Sequence, residues 1–371
     1  MKVLILINSF GRGGAEKSTA LFIIKLNRQY ADINFVCVYL YPFMPGFYKE
    51  IEENNIPLIH IKEKNIFSRV KRFRNLIKEY QPDIIHSVLH ESNMITRFSS
   101  IGSKSVFVES LVSKPYFIDR EYPNKIIKYK HTIGIKFIDK WSSFLVNHFH
   151  SVGLTVAKFY LEVYNRKFAY TIVRRGRPVP VDVPARVITN SGKLILVTLA
   201  RHEYLKGLQY LLEAILPIKD RVKLKIVGRD GAATLSLKEF VKKHQMENTV
   251  EFCGFLNDVI PVLREADIYV SASLTEGLPG SVIEAMSLKM PLLLSDIEEH
   301  REVATENENA LFFKSKNIEG IRSNINQILE NKIDLISFGN KSFEIFNERF
   351  TEDAMVNGMA QFYYNVLKIR N

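Results

Sequence analysis

The run Ala266-Asp267-Ile268-Tyr269-Val270-Ser271-Ala272 leads into Leu274-Thr275-Glu276-Gly277-Leu278-Pro279-Gly280-Ser281-Val282-Ile283-Glu284-Ala285-Met286, and this stretch decides the fold. Residues 266–272 read as a buried strand. Gly277, Pro279 and Gly280 punctuate a tight loop, and Ser281 to Lys289 has helical character until Pro291 stops it. Glu276 is thereby set on the loop and Glu284 in the first turns of the helix. Unpaired N–H groups at such a loop suit a phosphate or another anion, and a carboxylate on either side accepts hydrogen bonds from sugar hydroxyls. The competing reading is a solvated acidic loop that caps a helix. A second apolar strand, Pro291 to Ser295, follows at once. Open α/β sheets bind ligands at the carboxyl ends of their strands, which tilts the reading towards a ligand site.

Working outward, strands and helices alternate. Strand-like runs at 3–8, 33–40, 57–61, 83–87 and 106–109 are interleaved with helical patterns at 15–30, 47–54 and 66–80. Residues 174–193 break the rhythm with three prolines in close succession, so this segment reads as an interdomain linker. Strands at 193–200, 223–227 and 250–253 then alternate with helices at 207–216, 235–244 and 259–265. The βαβ rhythm predicts doubly wound parallel sheets, and residues 353–369 form a terminal helix.

A chain of 371 residues accommodates two domains. With 46% hydrophobic and 25% charged residues it is globular rather than disordered or fibrous. Its apolar runs are too short to span a bilayer, and the apolar start, Met1 to Asn8, reads as a first strand, too short for a signal peptide. Cys37 and Cys253 lie in strand-like runs and read as reduced core residues of a cytoplasmic protein. No metal-ligand spacing appears. The net charge of +11 favours anionic partners: phosphorylated substrates, membrane headgroups or nucleic acid.

The form E-G-[LF]-P-x-x-x-x-E-A-M closely resembles the signature of retaining glycosyltransferase family 4, which has the GT-B fold. The resemblance implies an α/β architecture of two Rossmann-like doubly wound parallel-sheet domains facing a cleft. Residues 1–177 would bind the acceptor, with the C-terminal helix 353–371 packing back on them, and residues 178–350 would bind the nucleotide-sugar. Glu276 would face the transferred sugar and Glu284 would hold the ribose. Backbone N–H groups in the run Leu278 to Ser281 would serve the phosphate or sugar, which makes Leu278, Pro279, Gly280 and Ser281 donor-binding residues.

Other stretches carry the same resemblance. Glycines at Gly11, Gly13 and Gly14 let backbone approach a ligand ahead of a helix, but their spacing is not the dinucleotide fingerprint. Gly13-Gly14-Ala15-Glu16 matches the G-G-A-E of the family. Arg201 and Lys206 flank a loop after a strand, where surface cations are usually just solvated. Two cations there can neutralise a departing diphosphate, and the family's R-x4-K-G pattern assigns them that role. His86 and His90, four apart near a strand end, can orient or deprotonate a hydroxyl, although a lone histidine is more often structural. The family's P-D-[IV]-[IV]-H stretch puts one of them beside the sugar, and which one stays open. Gly228 and Phe255 are further donor-binding candidates; Gly228-Arg229-Asp230-Gly231 matches the family only loosely. Arg174-Arg175-Gly176-Arg177 replaces an Asn-Gly pair, either as a solvated linker or as a binder of acceptor phosphate. Asn147-His148-Phe149-His150-Ser151 stands where the family often carries an Asp before V-S.

Residues 114–150 interleave Lys, Tyr, Phe and His, and the helix at 66–80 is strongly basic. Both fit either a charged face over the core or a surface resting on an anionic membrane. The resemblance therefore implies a metal-independent, retaining, hexosyltransferase-type enzyme without cofactor. It would move a sugar from a nucleotide-sugar, with a UDP-sugar expected, to a lipid-linked or polysaccharide acceptor in surface glycan synthesis. Such an enzyme would be cytoplasmic and peripheral on the inner membrane face, with no nucleic-acid partner. The rival readings are a nucleic-acid modifying or binding protein, and a GT-B relative that binds without transferring.

Overall fold

The computed structural model describes every residue except 12, 118–124, 182, 184–191 and 369–371, with the backbone alone for 125–132. Parts of the linker, of the basic aromatic stretch 114–150 and of the terminal helix 353–371 therefore lie outside the described residues. The chain forms two compact units. One holds Met1–Tyr116, the chain up to Gly176 and the C-terminal residues from Glu352; the other is built on Arg177–Thr351.

The first unit runs β1 (Lys2–Ile7), α1 (Gly14–Gln29), β2 (Asn34–Tyr39), α2 (Tyr48–Glu53), β3 (Leu58–His60), α3 (Ile66–Tyr80), β4 (Ile84–Val88) and α4 (His90–Ser99). It continues with β5 (Val106–Leu111), α5 (Lys125–Ser142), β6 (His148–Ser151), α6 (Leu154–Tyr164) and β7 (Tyr170–Ile172). The second unit runs β8 (Leu194–Leu199), α7 (Leu208–Ile215), β9 (Val222–Val227), α8 (Thr234–Lys243), β10 (Val250–Gly254), α9 (Ile260–Glu265) and β11 (Ile268–Ser271). It then adds α10 (Gly280–Met286), β12 (Leu292–Asp296), α11 (Glu298–Arg301), β13 (Ala310–Lys314), α12 (Ile318–Leu329) and α13 (Leu335–Arg349). The closing helix α14 (Glu352–Lys368) returns to the first unit.

Both sheets are parallel. Their orders are β3-β2-β1-β4-β5-β6-β7 and β10-β9-β8-β11-β12-β13. Parallel strands are covered on both faces and therefore read as continuous apolar runs: Leu194–Leu199 is LILVTL. Leu196, Leu224, Ile226, Val270 and Leu293 pack together in the second unit, and Leu4, Leu6, Val38, Phe73 and Phe107 in the first. The strand order reverses between β1 and β4, and again between β8 and β11. These are the switch points at which α/β sheets open a crevice for ligands.

Two polar clusters lock the first unit. Arg97 of α4 is fully buried. Its Nε and Nη2 donate to the Glu109 carboxylate at 2.8 and 2.7 Å, and its Nη1 donates to Asp139 at 2.6 Å. Tyr164 and Tyr116 donate to Asp139 as well. One guanidinium thus joins α4, β5, α5 and α6, and the two carboxylates hold it charged despite burial.

The second cluster is a chain of hydrogen bonds. His150 Nε2 lies 3.0 Å from the Val173 carbonyl, which can only accept, so that nitrogen carries the proton. His150 Nδ1 then accepts from Ser110 Oγ at 2.7 Å, and Ser110 Oγ in turn accepts from His86 Nε2 at 2.7 Å. His86 Nδ1 is left to accept from the Tyr363 hydroxyl at 2.7 Å. A single tautomer assignment satisfies every member and ties α14 to β4, β5 and β6. Burial lowers the pKa of both histidines, that of His150 to about 4, so both are neutral at pH 7.

Three expectations change. Cys253 sits half-buried on the edge strand β10 rather than in the core. Arg175 and Arg177 are buried rather than solvated. The strands β6 and β7 and the helix α4 went unread, because His148-Phe149-His150-Ser151 and His90-Glu91-Ser92-Asn93 carry too little apolar pattern.

Candidate active site

The loops that leave the carboxyl ends of β8, β9, β11 and β12 converge at the switch point of the second sheet. Gly207 makes the convergence possible. Its φ of +67° is left-handed, and a Cβ there would collide with the Ala272 carbonyl. Leu274 N–H donates to Leu205 C=O at 2.8 Å and joins the two loops directly. Gly228 plays the matching part between β8 and β9, where a Cβ would strike the Ala200 carbonyl.

This packing brings Lys206 and Glu276 together. Lys206 Nζ donates to Glu276 Oε1 at 2.5 Å, and Ser273 Oγ donates to the same oxygen at 2.7 Å. Burial alone pushes the Glu276 carboxyl up, but the Lys206 charge and these hydrogen bonds outweigh it, so its pKa falls below the usual value. Glu276 is an ionised, acceptor-only carboxylate. The Glu276 N–H donates to Glu299 Oε1 at 3.2 Å, so the loop is held from α11 as well.

Glu284, one turn along α10, accepts from Arg177 Nε at 2.8 Å. The Arg177 guanidinium lies where a side chain at Gly280 would be, so that glycine makes room for it. The arginine read as part of a linker is thus a buried partner of the second motif carboxylate. Leu278 and Pro279 are buried; Ser281 is half-buried, and its hydroxyl accepts from Tyr269 at 2.9 Å. Arg201 extends into solvent with Glu203 at 3.7 Å, apart from the Lys206–Glu276 pair. Phe255 is exposed, with the Arg229 guanidinium 4.4 Å above its ring.

His300 was not singled out by its sequence. It is fully buried on α11, its Nδ1–H donates to the Ser295 carbonyl at 2.8 Å, and burial keeps it neutral. Its place after an apolar strand, within Glu298-Glu299-His300-Arg301, was the available signal.

In the first unit, the loop after β1 carries Gly13 and Gly14 into α1. A Cβ at Gly13 would meet the Glu16 carboxylate, and Ser9 Oγ donates to Glu16 at 3.5 Å. His86 does not stand at the strand end as a free base: it is a saturated member of the buried hydrogen-bond chain. His90 is half-buried at the start of α4, edge-on to Tyr116 at 6.1 Å. The preceding Leu89 has φ +77° and ψ 148°, a backbone state costly for a branched residue and typical of functional sites. Both loops lie at the switch point of the first sheet.

Residues 184–344 match the family described as glycosyl transferases group 1. Over 72% of its length the chain is 24% identical to the N,N'-diacetylbacillosaminyl-diphospho-undecaprenol alpha-1,3-N-acetylgalactosaminyltransferase of Campylobacter jejuni, of which the match also covers 72%. It is 25% identical to an uncharacterized glycosyltransferase of Haemophilus influenzae over 91% of this chain and 92% of that one. The structure of Anabaena HepE in complex with UDP superposes with a TM-score of 0.81 at 14% identity, covering 98% of this chain and all of that one.

Proposed function

We propose, from the premise that this chain is a glycosyltransferase of the GT-B fold, that it transfers a sugar from a UDP-sugar to a lipid-linked glycan with retention of the anomeric configuration. The observation that carries this reading is the Lys206–Glu276 pair at the switch point of the second sheet, beside Glu284 and its partner Arg177. The UDP named in the Anabaena complex and the undecaprenol diphosphate named for the Campylobacter enzyme support the donor and acceptor classes.

In this reading the second unit binds the nucleotide and the first unit the acceptor. Glu284 accepts from the ribose hydroxyls, and Arg177 fixes the carboxylate that does so. The ionised Glu276 takes hydroxyl donors of the transferred sugar. Lys206 lies against Glu276 and, with Arg201, meets the diphosphate as negative charge develops on it, so transfer proceeds without a metal ion. The backbone at Gly280 and Ser281 completes the donor contacts on the second unit, with Phe255 and Arg229 flanking the base. The leaving phosphate takes the acceptor proton on the same face, and His90 orients the acceptor hydroxyl. No helix among the described residues is long and apolar enough to cross a membrane. A lipid-linked acceptor therefore calls for peripheral contact with the inner membrane face from the cytoplasmic side.

The test is transfer of labelled sugars from a panel of nucleotide-sugars to polyprenyl-diphosphate-linked acceptors, with product configuration read by NMR. Transfer with retention, lost in Glu276→Gln, is the expected result. Nucleotide binding with no transfer across the panel would favour a binding-only relative, and inversion would exclude the mechanism.

A further inference from the structure

The described part of α5 and the turn after it carry an exposed apolar face. Phe137, Trp141 and Phe144 are 62%, 59% and 62% exposed. Phe137 and Trp141 are one helical turn apart, with ring centroids at 5.9 Å, and Trp141 meets Phe144 at 6.3 Å. Ile133, one turn earlier, extends the same stripe and is half exposed. Three aromatic rings in successive contact and an isoleucine beyond them, all exposed, are an unusual expense for a surface in water, since each exposes area that burial would remove.

The charges around the stripe have one sign. Between residues 122 and 161 the only carboxylate is Asp139. It points inward to Arg97 and is buried. Lys136 is exposed and Lys140 half-buried on the same stretch of helix. Arg166 lies 4.3 Å over the Phe144 ring and donates to the Ser143 carbonyl at 2.8 Å. The inner side of the helix is thus locked by an ion pair, and the outer side offers aromatic rings with a cationic rim. No helix among the described residues qualifies as a span, so such a face lies along an interface rather than through it.

We propose that the face formed by Phe137 and Trp141 of α5 and Phe144 of the turn after it docks on an anionic lipid bilayer, its rings entering the headgroup boundary and its lysines meeting lipid phosphate. This rests on the reading of the chain as a transferase with a lipid-linked acceptor, and it names the surface that meets the membrane. Trp141 suits that boundary because its ring is apolar and its indole N–H can reach water, and the two phenylalanines add apolar area that enters with it. The cationic rim selects anionic over zwitterionic headgroups.

Trp141 is the only tryptophan of the chain, so intrinsic fluorescence reads this face alone. The full chain is titrated with phosphatidylcholine vesicles, with and without phosphatidylglycerol, and with vesicles carrying brominated acyl chains. The expected result is a blue shift with the anionic vesicles and quenching by the brominated ones. In F137S/F144S the bound fraction at equal lipid should fall about tenfold. K136E/K140E should weaken binding to anionic vesicles and leave binding to zwitterionic ones unchanged. An emission spectrum indifferent to both kinds of vesicle overturns the proposal. A blue shift that appears without lipid and grows with protein concentration overturns it too, because a second copy then covers the face. Thermal stabilisation by UDP, measured on the same samples, separates the two readings. Stabilisation without a vesicle response leaves the transferase standing and removes the docking face.

Discussion

The two units bury charge in different ways. In the first, Arg97, Glu109 and Asp139 expose at most 2% of their side chains, and every donor of the guanidinium meets an oxygen within the protein. In the second, Lys206 and Glu276 keep 27% and 15% exposed, and Glu284 keeps 18% beside its buried partner Arg177. The first arrangement is closed: no ligand could replace any partner without unfolding the helices around it. The second is open on one side and sits at the carboxyl ends of parallel strands, where a ligand can share the carboxylates. Desolvated charge alone does not mark a site; desolvated charge with a remaining path to solvent does.

Breaking the closed cluster should have the largest effect. Arg97→Met leaves Glu109 and Asp139 buried without their cation and should cost about 3–5 kcal/mol in urea unfolding. A loss under about 1 kcal/mol would mean the cluster does not lock the first unit. Glu276→Gln should do the reverse. Transfer should fall on the order of 10²–10³-fold, while unfolding shifts by about 1 kcal/mol or less, because the pair is partly screened by water. Comparable losses in stability and transfer would erase the distinction between the two clusters.

Gly207→Ala probes how the open site is assembled. It forces a Cβ against the Ala272 carbonyl from a left-handed backbone, at a cost of about 1–3 kcal/mol. Transfer should drop more than nucleotide affinity, since Lys206 moves away from Glu276. Equal changes in both, read from kcat and KM, would show that Lys206 acts only in donor binding. Arg177→Ala should weaken nucleotide affinity about tenfold by releasing Glu284, roughly the worth of one charge-assisted hydrogen bond. Unchanged affinity in calorimetry would make Arg177 a fold residue like Arg97.

The smallest effect expected is on pH dependence in the closed region. His150 is held neutral by burial, with its pKa lowered to about 4 from an ordinary 6.5. The unfolded chain binds that proton more readily. Stability should therefore fall as pH drops from about 6.5 towards 4. His86 adds in the same direction. His150→Gln should flatten the slope of unfolding free energy over that window, and an unaltered slope would remove the hydrogen-bond chain as its source.

The strand, loop and helix of the opening stretch were legible because an apolar run bounded by glycine and proline has few other readings. Glu276 and Glu284 stood out by their spacing within it, and Lys206 only through the R-x4-K-G pattern that it shares with Arg201 after the strand at 193–200. Arg97 was not, because an arginine in a polar helix looks like a surface residue until its two carboxylates arrive from 12 and 42 positions away. Arg177 was hidden in a proline-rich segment that reads as linker, although it folds back across more than a hundred residues to Glu284. His86 and His90 look alike in sequence. Only the tertiary structure separates them, by surrounding one with hydrogen-bond partners and leaving the other half-buried after a strained Leu89.

The most direct test of the open site is thermal unfolding with UDP, GDP and ADP, on the wild type and on Glu284→Ala and Arg201→Ala. At a hundredfold excess over its dissociation constant, one nucleotide should stabilise the wild type by about 2.7 kcal/mol. That gain should shrink in both variants. Stabilisation by no nucleotide, or by one whose effect both variants retain in full, would contradict a nucleotide site on the loops after β8 and β11.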